Sequence, residues 1–318
     1  MIERADMGAA LEVILKKDIL TLSDLEQTDF SLFFQRAQEL KSRHKKGICE
    51  KSLAGKTVGL IFEKPSTRTR ISFEAATAQL GGTPLFIQAG DTQLSRDEPV
   101  ADTARVLERY LDALVLRTYS QAMQEEFARI ASIPIINALT DRFHPCQVLS
   151  DLFTVIEFKG GLSGVKIAWV GDGNNMAHSW INAAAKLDFT LALACPEGYM
   201  PDAEILSAAK AVAGDRISVT SDPVAAVSGA DVVNTDVWAS MGQEAQAEKR
   251  RQVFAPFQVN NELLSHGAKD VIVMHCLPAH RGEEITADVL DGSRSVVWDQ
   301  TENKLHMHKA ILEVLIAG

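Results

Sequence analysis

The chain has 318 residues, about twice the usual size of a domain, which predicts two domains. Hydrophobic residues make up 46% of the chain and charged residues 23%, and this composition excludes intrinsic disorder. The formal net charge of −10 disfavours a nucleic-acid-binding scaffold, because such a surface repels phosphodiester backbones, although it is compatible with a small local basic pocket.

The sequence also carries signals about the compartment. No apolar run approaches the roughly 18 residues of a membrane span, and the start, Met1 to Glu12, lacks the apolar core of a signal peptide. The four cysteines, Cys49, Cys146, Cys195 and Cys276, are scattered without a CxxC pair, as is typical of reduced thiols. We therefore expect a cytoplasmic enzyme without a membrane partner.

Strands and helices alternate in the first half of the chain. A first amphipathic helix is predicted around Phe30–Leu40. The predicted strands are Thr57–Phe62, Pro84–Ile87, Ala113–Arg117 and Pro134–Asn137, and the predicted helices between them are Ser66–Leu80, Asp102–Leu111 and Gln121–Ile130. This alternation predicts a parallel sheet with helices on both faces.

The pattern repeats after a long predicted helix, Pro145–Phe158. The predicted strands are Val165–Val170, Phe189–Ala194, Ile217–Thr220, Asp231–Asp236, Val271–Cys276 and Ser295–Trp298, and a final helix is predicted at Glu302–Ile316. The fold class is therefore α/β, with two doubly wound parallel-sheet domains linked by helices and a cleft between them. Ligands in such folds gather at the carboxyl ends of the strands.

A segment rich in hydroxyls and arginines follows the first predicted strand. Ser66-Thr67-Arg68-Thr69-Arg70 opens a helix there. A helix N-terminus attracts anions, hydroxyls donate hydrogen bonds, and guanidinium groups pair with two oxygens at once. The alternative is a simple N-cap with surface arginines. Two arginines so close to the cap favour a phosphate site.

Further candidates follow later strands of the same sheet. Arg117 ends one strand, and His144-Pro145-Cys146-Gln147 follows the next. Alone, Arg117 could cap a helix and His144 could be structural. Together with the arginine segment, they place a cation and neutral hydrogen-bonding groups at one sheet edge. Such groups could polarise a carbonyl carried by a phosphate compound.

The second sheet opens on half of a dinucleotide-binding fingerprint. Gly171-Asp172-Gly173-Asn174-Asn175-Met176 has Met176 in place of the third glycine. The next strand ends in Ala194-Cys195-Pro196, with no acid placed to hold a ribose hydroxyl. An NAD-dependent dehydrogenase is therefore a distant alternative. The asparagines are either turn formers or ligands of a carboxylate or an amine.

Another strand end carries Asp236, followed by Ser240-Met241-Gly242. A carboxylate and backbone donors at this position could hold a zwitterionic amino acid. The polar stretch after it, Glu244–Gln252, is either a lid or a solvated surface helix. For its charged half, we expect the helix to face water.

The strand Val271–Cys276 leads into His275-Cys276-Leu277-Pro278. A cysteine at the sheet edge is better placed for chemistry than a core thiol, but covalent catalysis requires a neighbouring base. His275 would point to the opposite face of the strand, so the spacing does not support a Cys–His dyad. The histidines and cysteine of the C-terminal third match no zinc-ligand spacing, so we expect no metal.

In this order, these segments resemble the aspartate/ornithine carbamoyltransferase family from about Leu20 to Ile316, and its ornithine-specific branch most closely. The resemblance implies that residues 1–150, completed by the C-terminal helix 301–318, bind carbamoyl phosphate. Residues 151–300 then bind ornithine. It also implies transfer of the carbamoyl group to the δ-amine of ornithine, with no cofactor, in a trimer or a multiple of trimers. A carbamoyltransferase acting on another amine is the close alternative.

The resemblance also implies a role for each site residue. Catalytic roles are implied for Cys276, Arg117 and His144. The implied carbamoyl-phosphate ligands are Ser66, Thr67, Arg68, Thr69, Gln93, Arg117, His144, Gln147, Cys276, Leu277 and Lys304, with Gln93 acting across a subunit boundary. The implied ornithine ligands are Asn175, Asp236, Ser240 and Met241, and Cys276 and the Leu277 carbonyl would face the δ-amine.

One position departs from the family pattern. Lys304 stands where the family usually has an arginine that binds carbamoyl phosphate. Lysine keeps the charge but lacks the planar fork that grips two oxygens together. We expect activity to survive with altered affinity for carbamoyl phosphate.

Overall fold

The computed structural model describes residues 17–92, 97–239 and 247–317. It forms two compact units. The first contains the chain up to Leu149 together with the segment that starts at Asn303, and the second contains Ser150–Glu302. Within the described ranges, each helix is too short or too polar to cross a lipid bilayer.

The first unit is built on a parallel sheet with the strand order β2-β1-β3-β4. Its strands are β1 Thr57–Phe62, β2 Thr83–Gln88, β3 Ala113–Arg117 and β4 Ile135–Leu139. Its helices are α1 Gln27–Lys45, α2 Thr67–Gln79, α3 Val100–Leu107 and α4 Gln121–Ile130. Short 3₁₀ helices lie at Leu22–Asp24 and Ala89–Asp91.

The second unit follows α5, Pro145–Lys159, and has a parallel sheet with the order β7-β6-β5-β8-β9. Its strands are β5 Lys166–Val170, β6 Thr190–Ala194, β7 Ile217–Thr220, β8 Val232–Thr235 and β9 Ile272–His275. Its helices are α6 Asn175–Lys186, α7 Ala203–Ala213, α8 Pro223–Val227, α9 Ala247–Phe254, α10 Asn261–Leu264 and α11 Ala287–Leu290, with 3₁₀ helices at Gly214–Arg216 and Ala255–Phe257. The final helix is α12, Val297–Ala317.

The strands form where continuous apolar runs become buried on both faces of a sheet. All five residues of β3 are buried, as are the last four of β5 and of β6. Helices cover both faces of such parallel sheets, which is why these strands lack the polar alternation of a half-exposed strand. The edge strands β2 and β7 differ, since all residues of β2 and the last three of β7 are partly or fully exposed.

The strand order decides where each sheet can bind a ligand. In the first sheet, the chain adds β2 on one side of β1 and then β3 and β4 on the other, so the direction of winding reverses between β1 and β3. In the second, it reverses between β5 and β8. Ligands of doubly wound folds bind beyond the carboxyl ends of strands at such a reversal. The segments after these four strands therefore lie at the two binding positions.

The predicted strand Ser295–Trp298 is wrong. Only Ser295 forms a bridge, to Val273, and α12 begins at Val297. The buried pair Val296 and Val297 resembles the start of a strand, but Trp298 is exposed and helical. The bridge pairs the N–H and the carbonyl of Val273 with the backbone at Arg294 and Val296, and the chain becomes helical from Val297 onward.

Candidate functional site

The N-terminus of α2 lies directly after β1, at the reversal point of the first sheet. Ser66 is the N-cap, and its hydroxyl accepts a hydrogen bond from the Thr69 N–H at 3.3 Å. Arg68 is half-buried in the first turn. Arg70 instead pairs with Glu74 at 3.0 Å, and its guanidinium lies over the Phe86 ring. Ser66 therefore caps α2, and the same helix N-terminus can still attract an anion. The two arginines differ, because Arg70 already has an ion-pair partner in Glu74.

Lys304 connects three elements of the first unit. The ammonium Nζ donates to Thr69 Oγ1 at 2.9 Å and to Gln147 Oε1 at 2.8 Å. All three residues are buried. Lys304 lies on α12, Gln147 on α5 and Thr69 on α2. The Lys304 ammonium therefore contacts two side chains that precede it in the chain by 235 and 157 residues.

The imidazole of His144 lies near the buried cations Lys304 and Arg117. This imidazole is buried, and its pKa lies well below the ordinary value because burial disfavours the charged form and because Lys304, Arg117 and His308 lie nearby. The ring is therefore neutral at physiological pH and can donate one N–H while its other nitrogen accepts. Arg117 and Lys304 are both buried and both positive, so a bound anion would offset the cost of burying them together.

Cys146 sits beside this cluster but is a core thiol. Burial raises the pKa of Cys146 to about 12, and its Sγ donates to the Asn137 carbonyl at 3.3 Å. A thiol with such a high pKa is a poor nucleophile. Cys146 therefore serves the packing of the first unit rather than as a nucleophile.

His308, which the sequence did not single out, braces α2 from α12. Its ring stacks on Phe73 with centroids 3.7 Å apart, and Nδ1 lies 2.9 Å from Ser72 Oγ. Burial, together with the Lys304 charge, holds the pKa of His308 well below its ordinary value. No periodicity in the sequence signals this role, because a histidine on a helix is equally compatible with an exposed face.

The depressed pKa of His308 predicts a pH-dependent stability. A histidine whose pKa is lower in the folded state binds fewer protons there than in the unfolded state, so its stabilising contribution is present above about pH 6.5 and is lost as the pH falls. For His308→Gln, we expect the fall in unfolding free energy between pH 6.5 and 5 to be shallower by up to about 1.4 kcal/mol per pH unit. Urea unfolding at several pH values measures this slope.

The exposed His266 provides the matched control for that measurement. His266→Gln, a substitution at a side chain exposed to water, should leave the slope of the parent unchanged. Equal slopes for His308→Gln and the parent would contradict the prediction.

Asp236 follows β8 at the reversal point of the second sheet, and its carboxylate accepts three hydrogen bonds. Its Oδ1 accepts the Val237 N–H at 2.8 Å and the Cys276 thiol at 3.0 Å, and its Oδ2 accepts Asn174 Nδ2 at 3.0 Å. Asn174 is also the N-cap of α6, where its side chain accepts from Met176 and Ala177. The carboxylate thereby joins the carboxyl ends of β5, β8 and β9.

The expectation that the charged half of the polar stretch faces water is wrong for Arg250. This side chain, on α9, is buried and donates to Asp172 Oδ2 at 2.8 Å and to the Trp238 carbonyl at 2.7 Å. It also lies over the Tyr199 ring. Burial raises the pKa of Asp172, and Arg250 opposes that rise. The ion pair and the aromatic face hold Arg250 inside, which local sequence pattern did not indicate.

Gly173 of the half-fingerprint is required by the packing of the chain itself. A Cβ on Gly173 would lie 2.3 Å from the Pro201 nitrogen and 2.4 Å from the Met200 carbonyl carbon. The Gly173 N–H donates to the Tyr199 carbonyl at 2.9 Å. Residues 199–201 approach so closely that only a glycine fits at position 173. Gly173 therefore no longer supports the alternative of a dinucleotide-binding site.

Cys276 and Leu277 follow β9, where Leu277 has a φ of 58°. The Cys276 thiol faces Asp236, whereas the His275 ring contacts Glu284 and the Leu277 N–H. The two neighbouring side chains thus have separate partners. Asn175 is the first residue of α6 and is half-buried. Gln93, Ser240 and Met241, three residues implied by the family resemblance, lie outside the described residues.

Comparison with known proteins decides the family. A sequence profile described as the aspartate/ornithine carbamoyltransferase carbamoyl-P binding domain matches residues 17–157, and the Asp/Orn binding domain of the same family matches residues 163–315. The chain belongs to the aspartate/ornithine carbamoyltransferase family. The matched ranges cover both sheets.

Individual relatives agree with this assignment. Over 302 residues, the chain is 60% identical to an ornithine carbamoyltransferase of Syntrophus aciditrophicus, covering 95% of this chain and 100% of that protein. It is 58% identical over 293 residues to one from Desulfotalea psychrophila, covering 92% and 97%. The solved ornithine carbamoyltransferase of Pyrococcus furiosus has a TM-score of 0.91 and 50% identity, covering 95% of this chain and 97% of that one. The fold of two parallel-sheet α/β domains is therefore confirmed.

Lys304 yields a prediction particular to this chain within the family. For Lys304→Arg, we expect at most about fivefold tighter binding of carbamoyl phosphate, because a second parallel hydrogen bond is partly offset by fitting a longer fork where Thr69 and Gln147 now hold an ammonium. For Lys304→Ala, we expect binding at least tenfold weaker, since a buried charge-assisted contact is lost. Paired titrations with carbamoyl phosphate measure both.

Two outcomes would contradict parts of this prediction. If the alanine variant binds as tightly as the parent, the ammonium does not reach the ligand and only braces Thr69 and Gln147. If both variants bind more weakly, the pocket is shaped around lysine and the expected gain for arginine is wrong.

Proposed function

We propose that this protein transfers the carbamoyl group of carbamoyl phosphate to the δ-amine of L-ornithine, which yields L-citrulline and phosphate. The observation that carries the proposal is the buried cluster of Arg117, His144 and Lys304 beside the N-terminus of α2. A phosphate compound is the ligand whose charge matches two buried cations and a helix dipole. The family and the named relatives supply the identity of both substrates.

In this proposal, the first unit binds carbamoyl phosphate. Ser66, Thr67, Arg68 and Thr69 hold the phosphate, and Gln147 and Lys304 approach the same anion. Arg117 and the neutral His144 donate to the carbonyl oxygen, whose negative charge grows in the transition state. Gln93 reaches this ligand across a subunit boundary.

The second unit binds ornithine. Asn175, Asp236, Ser240 and Met241 hold its α-amino and α-carboxylate groups, and Cys276 and the Leu277 carbonyl face its δ-amine. The support is that Asp236 and Cys276 touch one another, so groups from β8 and β9 meet at one point. The δ-amine must be neutral to attack, and desolvation favours that form because it lowers the pKa of a buried amine.

The reaction then needs no cofactor and no covalent enzyme intermediate. The δ-nitrogen attacks the carbonyl carbon to form a tetrahedral intermediate, the bond from carbon to the phosphate oxygen breaks, and phosphate leaves with the electron pair. The proton lost by the nitrogen ends on phosphate, so atoms and charges balance. Holding both reactants in place can lower the barrier by roughly 7–11 kcal/mol in ideal cases.

The test is a colorimetric assay for ureido products with carbamoyl phosphate and a panel of amines that contains ornithine, lysine, putrescine, N-acetylornithine and aspartate. We expect ornithine to give a kcat/KM at least a hundredfold above every other amine. A larger kcat/KM for another amine would transfer the proposal to the close alternative within the family. No ureido product with any amine would overturn it.

The proposal includes a homotrimer in the cytoplasm. A pocket of about 800 Å³ lies in front of the loop after β1 and is lined by Pro65, Ser66, Ile71 and Phe86 among others. Ile71, which lines this pocket, is 56% exposed, and Leu85 on β2 is 46% exposed, so large apolar side chains of the first unit face water. Light scattering on the purified protein should give three times the 34.7 kDa of one chain, or a multiple of that. Free rather than paired cysteines support the compartment.

A further inference from the structure

The carboxyl end of β9 is held by a buried pair that takes no direct part in the proposed chemistry. The side chains of His275 and Glu284 are fully buried, and His275 Nε2 lies 3.0 Å from Glu284 Oε1. His275 Nδ1 accepts the Leu277 N–H at 2.8 Å. A ring nitrogen that accepts a hydrogen bond carries no proton, so the single ring proton lies on Nε2 and is donated to Glu284. The two contacts fix both the tautomer and the ring.

Glu284 and Gln300 anchor the same turn at further points. Glu284 Oε1 also accepts the His280 N–H at 2.6 Å. Gln300 Oε1 accepts the His275 N–H at 3.0 Å, while Gln300 Nε2 donates to Asp151 Oδ1 at 2.7 Å. Hydrogen bonds therefore fix the backbone of the turn at His275, before Cys276, and at His280, after Leu277. The contact with Glu284 fixes the His275 ring as well.

The turn so anchored contains an uncommon backbone conformation. The φ of 58° at Leu277 lies in the left-handed region, which residues other than glycine, asparagine and aspartate rarely adopt. Such conformations persist where the surroundings impose them, and they cluster at functional sites. Here the Leu277 N–H is bound by the His275 ring, and the Cys276 thiol is bound by Asp236. The ring thus acts on the backbone of the residue whose carbonyl is proposed to face the amine.

We propose that His275 and Glu284 are positioning residues for carbamoyl transfer: Glu284 orients the His275 ring, and the ring holds Leu277 in the conformation that presents its carbonyl to the reacting amine. This inference rests on the proposed function. A displacement of about 1 Å in a reacting group can lower the rate about a hundredfold, so a turn imposed by a side chain affects kcat.

Two substitutions of His275 separate its two contacts. In His275→Asn, the amide oxygen takes the place of Nδ1, so Leu277 keeps its acceptor while Glu284 loses its donor. In His275→Gln, the amide nitrogen takes the place of Nε2, so Glu284 keeps its donor while Leu277 loses its acceptor. A pair that merely stabilises β9 gives no reason for these variants to differ in kcat.

We expect His275→Gln to lower kcat with ornithine at least thirtyfold and His275→Asn to lower it less than fivefold. The KM for carbamoyl phosphate should stay within threefold in both, because the phosphate is held by the first unit. His266→Gln, at an exposed histidine of the same unit, is the control and should match the parent. Melting temperatures identify any variant that loses stability alone. Equal kcat values for the Asn and Gln variants would overturn the role of the Leu277 contact.

Substitutions of Glu284 keep the inference testable if the His275 variants do not fold. Glu284→Gln retains an oxygen that can accept from both His275 and His280, whereas Glu284→Met does not. We expect less than a threefold loss of kcat for Gln and more than a tenfold loss for Met, and equal values would overturn the role of Glu284. A parent enzyme that forms no citrulline would overturn the proposed function, whereas an active parent with equally active variants would overturn only the positioning role.

Discussion

Arg68→Ala is expected to lower kcat/KM for carbamoyl phosphate by about 10²- to 10³-fold. Arg68 is half-buried in the first turn of α2, next to the capping Ser66, and a guanidinium there can form two parallel bonds to a phosphate. Loss of two charge-assisted hydrogen bonds of about 1.5–2 kcal/mol each removes about 3–4 kcal/mol, and 1.4 kcal/mol corresponds to a factor of ten. Because the leaving phosphate gains charge during the reaction, kcat should fall as well as affinity. Steady-state kinetics at saturating ornithine measure both.

Two further variants on the same helix sharpen this test. Arg68→Lys keeps the charge but loses the fork, so we expect a loss of about tenfold, intermediate between the parent and alanine. Arg70→Ala removes an arginine that already pairs with Glu74 and lies over Phe86, and its loss should stay below tenfold. If Arg70→Ala were as damaging as Arg68→Ala, the effect would come from the integrity of α2 rather than from contact with phosphate.

Local sequence pattern located the strands of both sheets, apart from the wrongly predicted strand Ser295–Trp298. The predicted strands Thr57–Phe62, Ala113–Arg117 and Ile217–Thr220 have the same bounds in the structure. The first two are apolar runs buried along almost their whole length, as a central parallel strand requires, whereas Ile217–Thr220 lies at a sheet edge and carries the exposed Ser218. Parallel strands place their carboxyl ends at one edge, so the order of elements also predicted which loops lie together.

Local pattern was insufficient where a polar side chain is buried by distant parts of the chain. Lys304 contacts Thr69 and Gln147, and nothing in the residues around Lys304 indicates that it is buried. The family resemblance, rather than periodicity, supplied its assignment. Burial of a polar group depends on its partners, and those partners are set by tertiary structure.

Arg250 shows the same limitation without the help of a resemblance. It stands among charged neighbours that are typical of a solvated helix, yet Asp172, 78 positions earlier in the chain, draws it inside. The positioning pair His275 and Glu284 is a third case, since adjacent motif residues predicted chemistry at Cys276 but not the buried carboxylate of Glu284, nine residues after His275. In each case the missing information was a contact between side chains from different elements.

Asp236→Asn is expected to lower kcat/KM for ornithine about a hundredfold while leaving the KM for carbamoyl phosphate within threefold. The carboxylate is proposed to face the ammonium of ornithine, and loss of a charge-assisted bond accounts for about 1.5–3 kcal/mol. The amide also fits its surroundings poorly. Its NH₂ group would face either the Val237 N–H, at the position of Oδ1, or the Asn174 amide nitrogen, at the position of Oδ2, so two donors would meet in either orientation.

The opposite end of the same strand offers the matched control. Asp231 precedes β8, and its Oδ2 accepts the Lys166 N–H at 2.8 Å, so Asp231→Asn changes a structural carboxylate of the same sheet at the edge away from the proposed site. We expect its kcat/KM for ornithine to stay within threefold of the parent even if its melting temperature falls. Because carbamoyl phosphate is proposed to bind the first unit, a defect at Asp236 should affect ornithine selectively. If Asp236→Asn instead weakened both substrates equally, Asp236 would not serve ornithine alone, and the assignment of one substrate to each unit would be wrong.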